Sequence, residues 1–175
     1  MAETPPTGRE AMHIHQLKQL RSLLRAVRPA NSFYEKKLNC AGIDETIGSL
    51  EEFSVRCPFT TKGELVTDQQ TNAPYGTNLT FSLEQYNRIH QTSGTSGNPL
   101  RWLDTPESWQ GMLESWKVVY GAAGVTKNDR GLFAFSFGPF IGFWTAYEAA
   151  TQMGCLCFPG GGLASATRLR ILLEN

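Results

Sequence analysis

The chain has 175 residues, 41% of them hydrophobic and 18% charged, which is enough apolar material for a folded core and sets disorder aside. Lys and Arg number 16 and Asp and Glu number 16, so the formal net charge is zero and no basic excess recruits nucleic acid or an anionic membrane surface. Any anion that binds here is held by local geometry.

Met1 to Glu10 reads MAETPPTGRE, with acidic and proline residues and no apolar run, so it is not a secretory signal, and residues 1–12 are expected to form a disordered tail. From His13 to Val27, Ile14, Leu17, Leu20, Leu24 and Val27 recur every three or four residues against Lys18, Arg21 and Arg25, which predicts an amphipathic helix. Phe33, Tyr34 and Leu38 predict a second short helix closed by Gly42, giving a helical hairpin. Ser49 with Glu52 has capping-box spacing and begins a third helix, stopped at Cys57-Pro58. Thr60 to Leu65 suggests another cap and turn that Gly63 weakens, and the polar run from Gln69 to Leu79 reads as a surface connection.

Leu100 to Leu103 is expected to continue a hairpin strand. Thr105-Pro106 then starts a helix that places Trp109, Met112, Leu113, Trp116 and Val119 or Tyr120 on one face up to Gly121. The two tryptophans at this spacing read as core. After a turn at Asn128 to Gly131, Leu132 to Phe137 predicts a strand, Pro139 to Met153 a helix and Cys155 to Phe158 a strand, a βαβ unit that favours a parallel sheet. Ala164 to Asn175 begins a further helix. Gly131 to Tyr147 carries no charge, but it is short for a membrane span and Gly138-Pro139 interrupts it, so a strand turning into a helix is the preferred reading. Cys40, Cys57, Cys155 and Cys157 lack the CxxC pairs and matching histidines of a zinc site. Reduced thiols in a cytoplasmic protein are expected, with Cys155 and Cys157 on one face of a strand.

Within Arg88 to Trp102 (RIHQTSGTSGNPLRW), Thr92 to Gly97 holds no side chain larger than threonine. Such a stretch is either a flexible turn or a loop shaped around a polyphosphate, with glycines admitting the ligand to the backbone N–H groups and hydroxyls donating to phosphate oxygens. It is not a Walker loop, because Asn98 follows Gly97, and the same Asn98 stands where a hydrolase elbow needs glycine. His90, just before it, could position a phosphate or satisfy a carbonyl at the strand end, and the second is favoured.

Thr92-Ser93-Gly94-Thr95-Ser96-Gly97-Asn98-Pro99 resembles the phosphate-binding signature [ST]-S-G-[TS]-[TS]-G-x-P of the adenylate-forming (AMP-binding) synthetase superfamily. Tyr34-Glu35-Lys36, Ala41-Gly42-Ile43, Leu50 to Phe53, Pro58 to Lys62, Arg88-Ile89-His90, Ala122 to Val125, Phe135 to Phe140 and Phe158 to Gly162 are similar, in order, to the phenylacetate–CoA ligase branch, over about Ile14 to Asn175. The resemblance implies an α/β fold, the N-terminal part of the ligase large domain: an incomplete AMP-binding domain over 13–175, helical over 13–87, with the phosphate loop and βαβ units over 88–175. It implies a two-step reaction, in which a carboxylic acid and Mg-ATP (ATP with Mg2+) give an acyl-adenylate and coenzyme A displaces AMP. It assigns Thr92, Ser93, Gly94, Thr95, Ser96 and Gly97 to the ATP phosphates. Phe137 and Phe140 become candidates for the acyl pocket, although ordinary core packing accounts for any single phenylalanine equally well.

The sequence departs from that pattern in charge. The wider superfamily often has lysine where Leu100 stands, and this branch often has it where Asn98 stands, so a cation near the phosphates is missing from both places, and either Arg101 compensates or phosphate affinity is low. The family's later elements, among them the adenylation lysine, do not occur in the 175 residues, so the catalytic residue is unknown. The chain is therefore expected to be a truncated portion, inactive alone. The alternative is a non-catalytic remnant or interaction module, dimerising through the helix at Ile14 to Val27 or pairing with a complementary C-terminal chain.

Overall fold

A computed structural model describes residues 8–94 and 97–175 and divides the chain into two compact units, Met1–Leu83 and Glu84–Asn175. The first unit is helical: α1 (Arg9–Val27), α2 (Ser32–Cys40), α3 (Leu50–Arg56) and α4 (Lys62–Thr71). The α1 helix starts at Arg9, so residues 9–12 are helical and not part of a tail. Met1 to Thr7 lie outside the described residues.

Leu24, Leu38, Ile43 and Ile47 form the buried core of this unit, with Leu17, Leu20, Tyr34 and Phe53 packed around them. The expected stripe on α1 thus exists, but Ile14 at its start is 65% exposed. Gly63 does not prevent α4. Thr61 and Glu64 form a full capping box, in which the Thr61 N–H donates to Glu64 Oε2 (2.7 Å) and the Glu64 N–H donates to Thr61 Oγ1 (3.3 Å). Lys37 Nζ adds an ion pair at 2.7 Å, which holds Glu64 from α2 as well. Part of the polar run beyond it is organised by Asp68, which accepts the Thr77 N–H and hydroxyl, both at 2.7 Å.

The second unit is α/β. The short strands β1 (Arg88–Gln91) and β2 (Arg101–Asp104) pair antiparallel, from Arg88 opposite Asp104 to Gln91 opposite Arg101. Thr105 caps α5 (Pro106–Ala122) by accepting the Ser108 N–H at 3.1 Å, with Pro106 in the first turn as expected. Then β3 (Arg130–Phe133), α6 (Ile141–Gln152) and β4 (Leu156–Pro159) form the expected parallel βαβ unit, followed by α7 (Ser165–Glu174). Trp109 and Leu113 of α5 and Ala149 of α6 are the buried centre, and Trp116 packs against it, so both tryptophans are core.

The β3 strand begins two residues before the expected span and ends at Phe133. Its ladder with β4 finishes at the Phe133–Pro159 pair, and the Gly160 N–H closes on the Phe133 carbonyl at 2.8 Å. Beyond that point the two segments run backbone against backbone. A Cβ on Gly161 would lie 2.5 Å from the Phe135 carbonyl oxygen and 2.9 Å from Ser136 Cα, so this crossing requires glycine. The uncharged Gly131 to Tyr147 stretch is therefore a strand end, a connection and the first half of α6. Among the described residues no helix is long and apolar enough to cross a membrane. Cys155 lies just before β4, buried, with its thiol donating to the Thr126 carbonyl at 3.2 Å. Cys157 is half-buried and, like the other three, free.

Candidate functional site

The TSGTSGNP stretch is the connection of the β1–β2 hairpin. Thr92 closes its base twice: its N–H donates to the Leu100 carbonyl, and its hydroxyl accepts the Leu100 N–H, both at 3.0 Å. Leu100, where much of the superfamily has lysine, is buried at 4% exposure and plugs the hairpin into the unit. Ser93, Gly97, Asn98 and Pro99 are exposed above it. Gly94 (φ +66°) and Gly97 (φ +131°) both occupy backbone conformations that disfavour any side chain, and the Gly97 N–H donates to the Gly94 carbonyl at 3.0 Å. That amide is engaged within the loop, whereas the Ser93 side chain stands at the surface. Thr95 and Ser96 lie outside the described residues. Arg101 begins β2 opposite Gln91, at the foot of the loop.

Two four-residue strands pairing only with each other are weak support for such a loop. The hairpin is instead fastened by the alternate residues Arg88 and His90. Arg88 makes a bidentate pair with Glu148 of α6 at 2.9 and 3.0 Å, and its guanidinium lies 4.2 Å from the centre of a Trp109 ring. The Trp109 indole N–H donates to the same carboxylate at 2.8 Å. His90 stacks on Trp109 with ring centres 5.0 Å apart and planes 6° from parallel. At the loop's edge the Gln91 N–H donates to the Pro139 carbonyl at 2.8 Å, tying the loop's entry to the segment that starts α6.

His90 Nδ1 does not hydrogen-bond a carbonyl, the role that the sequence favoured. Its Nδ1 faces Asp104 Oδ2 at 3.6 Å, beyond hydrogen-bond length, and neither buried atom has another partner. The other Asp104 oxygen accepts the Ser108 hydroxyl at 3.0 Å.

The bracing of Arg88 and His90 by Trp109 and Glu148 did not emerge from motif reading, although a signal for it exists. Glu148 is the only charged residue in α6, and a lone carboxylate in an apolar helix needs a partner to be tolerated.

Phe137 and Phe140 separate. Phe137 belongs to an aromatic cluster, 4.8 Å from Trp144 and 5.2 Å from Tyr147, the latter edge-on. Phe140, 37% exposed, caps the start of α6 and meets Phe143 edge-on at 6.0 Å. The Trp144 indole N–H donates to the Gly138 carbonyl at 2.8 Å and fixes the turn between them. Phe137 is thus committed to packing, and Phe140 is the one with a free face.

These elements define an α/β fold of the adenylate-forming ligase type. A solved structure of 2-hydroxyisobutyryl-CoA ligase, in an open conformation with 2-HIB-AMP and CoA, matches 96% of this chain and 39% of its own length at a TM-score of 0.85 and 22% identity. The same ligase in the thioesterification state matches 96% of this chain and 35% of its own at 0.86 and 23% identity. In sequence the chain is similar to phenylacetate–coenzyme A ligases. It is 28% identical over 170 residues to that of Pseudomonas putida, covering 94% of this chain and 36% of the relative. With the Thermus thermophilus enzyme it shares 29% over 161 residues, covering 91% and 34%. No family model matches the chain. The similarity is to the N-terminal part of the phenylacetate–CoA ligase branch, and the chain spans about a third of the length of the curated relatives it matches.

Proposed function

We propose that the chain supplies the ATP phosphate-binding portion of an AMP-forming acid–CoA ligase of the phenylacetate–CoA ligase type, one that activates an aryl or other carboxylic acid to an acyl-adenylate and then to a CoA thioester. The observation that carries this reading is the loop itself: a signature rich in glycine and hydroxyl groups, closed at its base by Thr92 and Leu100, with two glycines in the left-handed region, raised on a hairpin braced to α5 and α6.

In this role the loop binds and orients. The Ser93 hydroxyl and the loop amides would donate to the β- and γ-phosphates, with the Gly97 amide first released from Gly94, while charge moves onto departing pyrophosphate. Thr95 and Ser96 would complete the same cradle. Arg101 at the loop's foot is the cation proposed to offset the missing lysine. Magnesium would arrive on the ATP phosphates as part of the substrate, and coenzyme A is proposed as the thiol acceptor. Phe140 is the proposed contact for the acid's apolar body, with Phe137 packing behind it.

The test is thermal unfolding of the chain with and without Mg-ATP, read by tryptophan fluorescence. Ligand at a hundredfold excess over its Kd stabilises the native state by about 2.7 kcal/mol, so the transition should rise by several degrees with ATP and not with adenosine. An unchanged transition at millimolar Mg-ATP rejects the phosphate-loop assignment.

A further inference from the structure

The helical unit carries a groove that the function proposed above does not use. It follows one side of α1 as three cavities that share walls. The first, of about 130 Å³, lies between Ile14, Leu17 and the Ser49 to Glu51 start of α3. The second, of about 360 Å³, lies over Lys18, Arg21 and Ser22, with Ile14 and Leu17 continuing from the first. The third, of about 390 Å³, lies between Arg28 and the side chains of Glu35, Asn39 and Glu45, and Arg25 joins it to the second. Positions 14, 17, 18, 21, 25 and 28 recur every three or four residues, which keeps them on one helix face over about 21 Å.

The groove is apolar at one end and basic along its middle. Ile14, 65% exposed, forms the apolar notch with Leu17 and Leu50. Arg21 is held in place, its Nε and Nη2 donating to the Ile47 carbonyl at 3.0 and 2.7 Å. Arg28 Nε donates to Asn39 Oδ1 at 3.0 Å and lies 3.9 Å from Glu45. Lys18 and Arg25, exposed on either side of Arg21, make no side-chain hydrogen bond or ion pair among the described residues, and no carboxylate lines the cavity they share.

These features select the occupant. A second copy of α1 brings like charges together in either direction: antiparallel pairing sets Lys18 against Arg25, and parallel pairing sets each against itself. A bilayer surface is too flat to enter a groove walled by α1 and the start of α3. A long, narrow groove with an apolar notch and unpaired cations two turns apart, about 10 Å along the axis, suits a helix of opposite charge.

We propose that this groove docks an acidic amphipathic helix of a partner protein, which places an apolar side chain in the Ile14–Leu17–Leu50 notch and carboxylates two turns apart against Lys18 and Arg25. The site lies within the Met1–Leu83 unit and is independent of the phosphate-loop assignment. The notch supplies contact area, while the exposed ion pairs set partner choice and make binding sensitive to salt.

The experiment is fluorescence anisotropy of a labelled helical peptide of about 18 residues, long enough to hold a helix, with leucines at one end and two glutamates seven positions apart on the same face. The full chain should bind it with a Kd in the micromolar range that rises with salt, and replacing both glutamates by glutamine should weaken binding about tenfold. The charge-swapped variant Lys18→Glu/Arg25→Glu should lose the glutamate peptide and bind a version carrying lysines instead. Both side chains are exposed and unpaired, so the variant should keep its fold, as far-ultraviolet circular dichroism would check. No binding of the glutamate peptide, equal binding of the glutamine peptide, or a swap that fails to exchange preference overturns the proposal. A dimer of the chain alone that Ile14→Asp dissociates gives the groove to a second copy, and binding to phosphatidylglycerol vesicles without binding of the peptide gives it to a membrane; either result also overturns it.

Discussion

The bracing of the hairpin gives a prediction whose size follows from three hydrogen bonds. Two N–H groups of Arg88 and the indole N–H of Trp109 converge on the two oxygens of Glu148 at 2.8 to 3.0 Å. Glu148→Gln preserves the shape but replaces one acceptor oxygen with an NH2 donor, so at least one of the three donors meets another donor and the charge pairing with Arg88 is lost. Hydrogen bonds to charged groups are worth about 1.5–3 kcal/mol each. The two side chains are 33% and 25% exposed, so solvent screening places the loss in the lower part of that range, at about 2 kcal/mol. For a unit of this size each kcal/mol moves the midpoint by about 4–8 °C, so the transition should fall by roughly 8–16 °C. All four tryptophans lie in the Glu84–Asn175 unit, which makes tryptophan emission a selective readout of its unfolding. Arg88→Met and the Arg88→Met/Glu148→Gln double variant complete a cycle expected to return a coupling of about 1–2 kcal/mol. A Glu148→Gln midpoint within about 2 °C of the parent, or a coupling near zero, would refute the view that this carboxylate secures the hairpin.

Gly161→Ala places a methyl group 2.5 Å from a backbone oxygen that cannot swing aside, and about 1–3 kcal/mol of destabilisation is expected in the same tryptophan-detected melt. The Glu64 carboxyl is lowered to about 2, first by its hydrogen bond from Lys37 and then by those from the Thr61 backbone and side chain. A depressed carboxylate contributes stability that is complete above its ordinary value of 4.5 and is lost as pH falls toward about 2. Far-ultraviolet circular dichroism should therefore show the helical unit weakening across that window, and Glu64→Gln should flatten the dependence. Burial raises the Cys155 thiol above its usual range and leaves Cys40 exposed, so a thiol reagent at mildly alkaline pH should label Cys40 well before Cys155, as peptide mapping would read.

Much of this architecture was legible because it is written in short-range chemistry. Ser49 with Glu52, three residues apart, and the adjacent pair Thr105-Pro106 announce helix starts, and the α5 stripe of Trp109 and Leu113 follows from helical spacing alone. The loop was legible for the same reason, as a contiguous run of small residues. What stayed hidden depends on pairings across long stretches of chain. The end of β3 is set by where β4 stops pairing with it, the α4 helix is reinforced by Lys37 from α2, and Arg88 finds Glu148 sixty positions away. Phe137 and Phe140 could not be told apart from sequence, because only the turn held by Trp144 directs one into the cluster and leaves the other at the surface.

Leu100 and Thr92 together separate the loop's composition from its placement. The closing hydrogen bonds, the buried plug and the anchors at Arg88, His90, Trp109 and Glu148 all come from one uninterrupted run of the second unit, so the frame is local in the gene as well as in space. Such an element behaves as a cassette. Recombination or deliberate grafting with a breakpoint near Leu83 and Glu84 would carry the loop and everything that aims it in one piece.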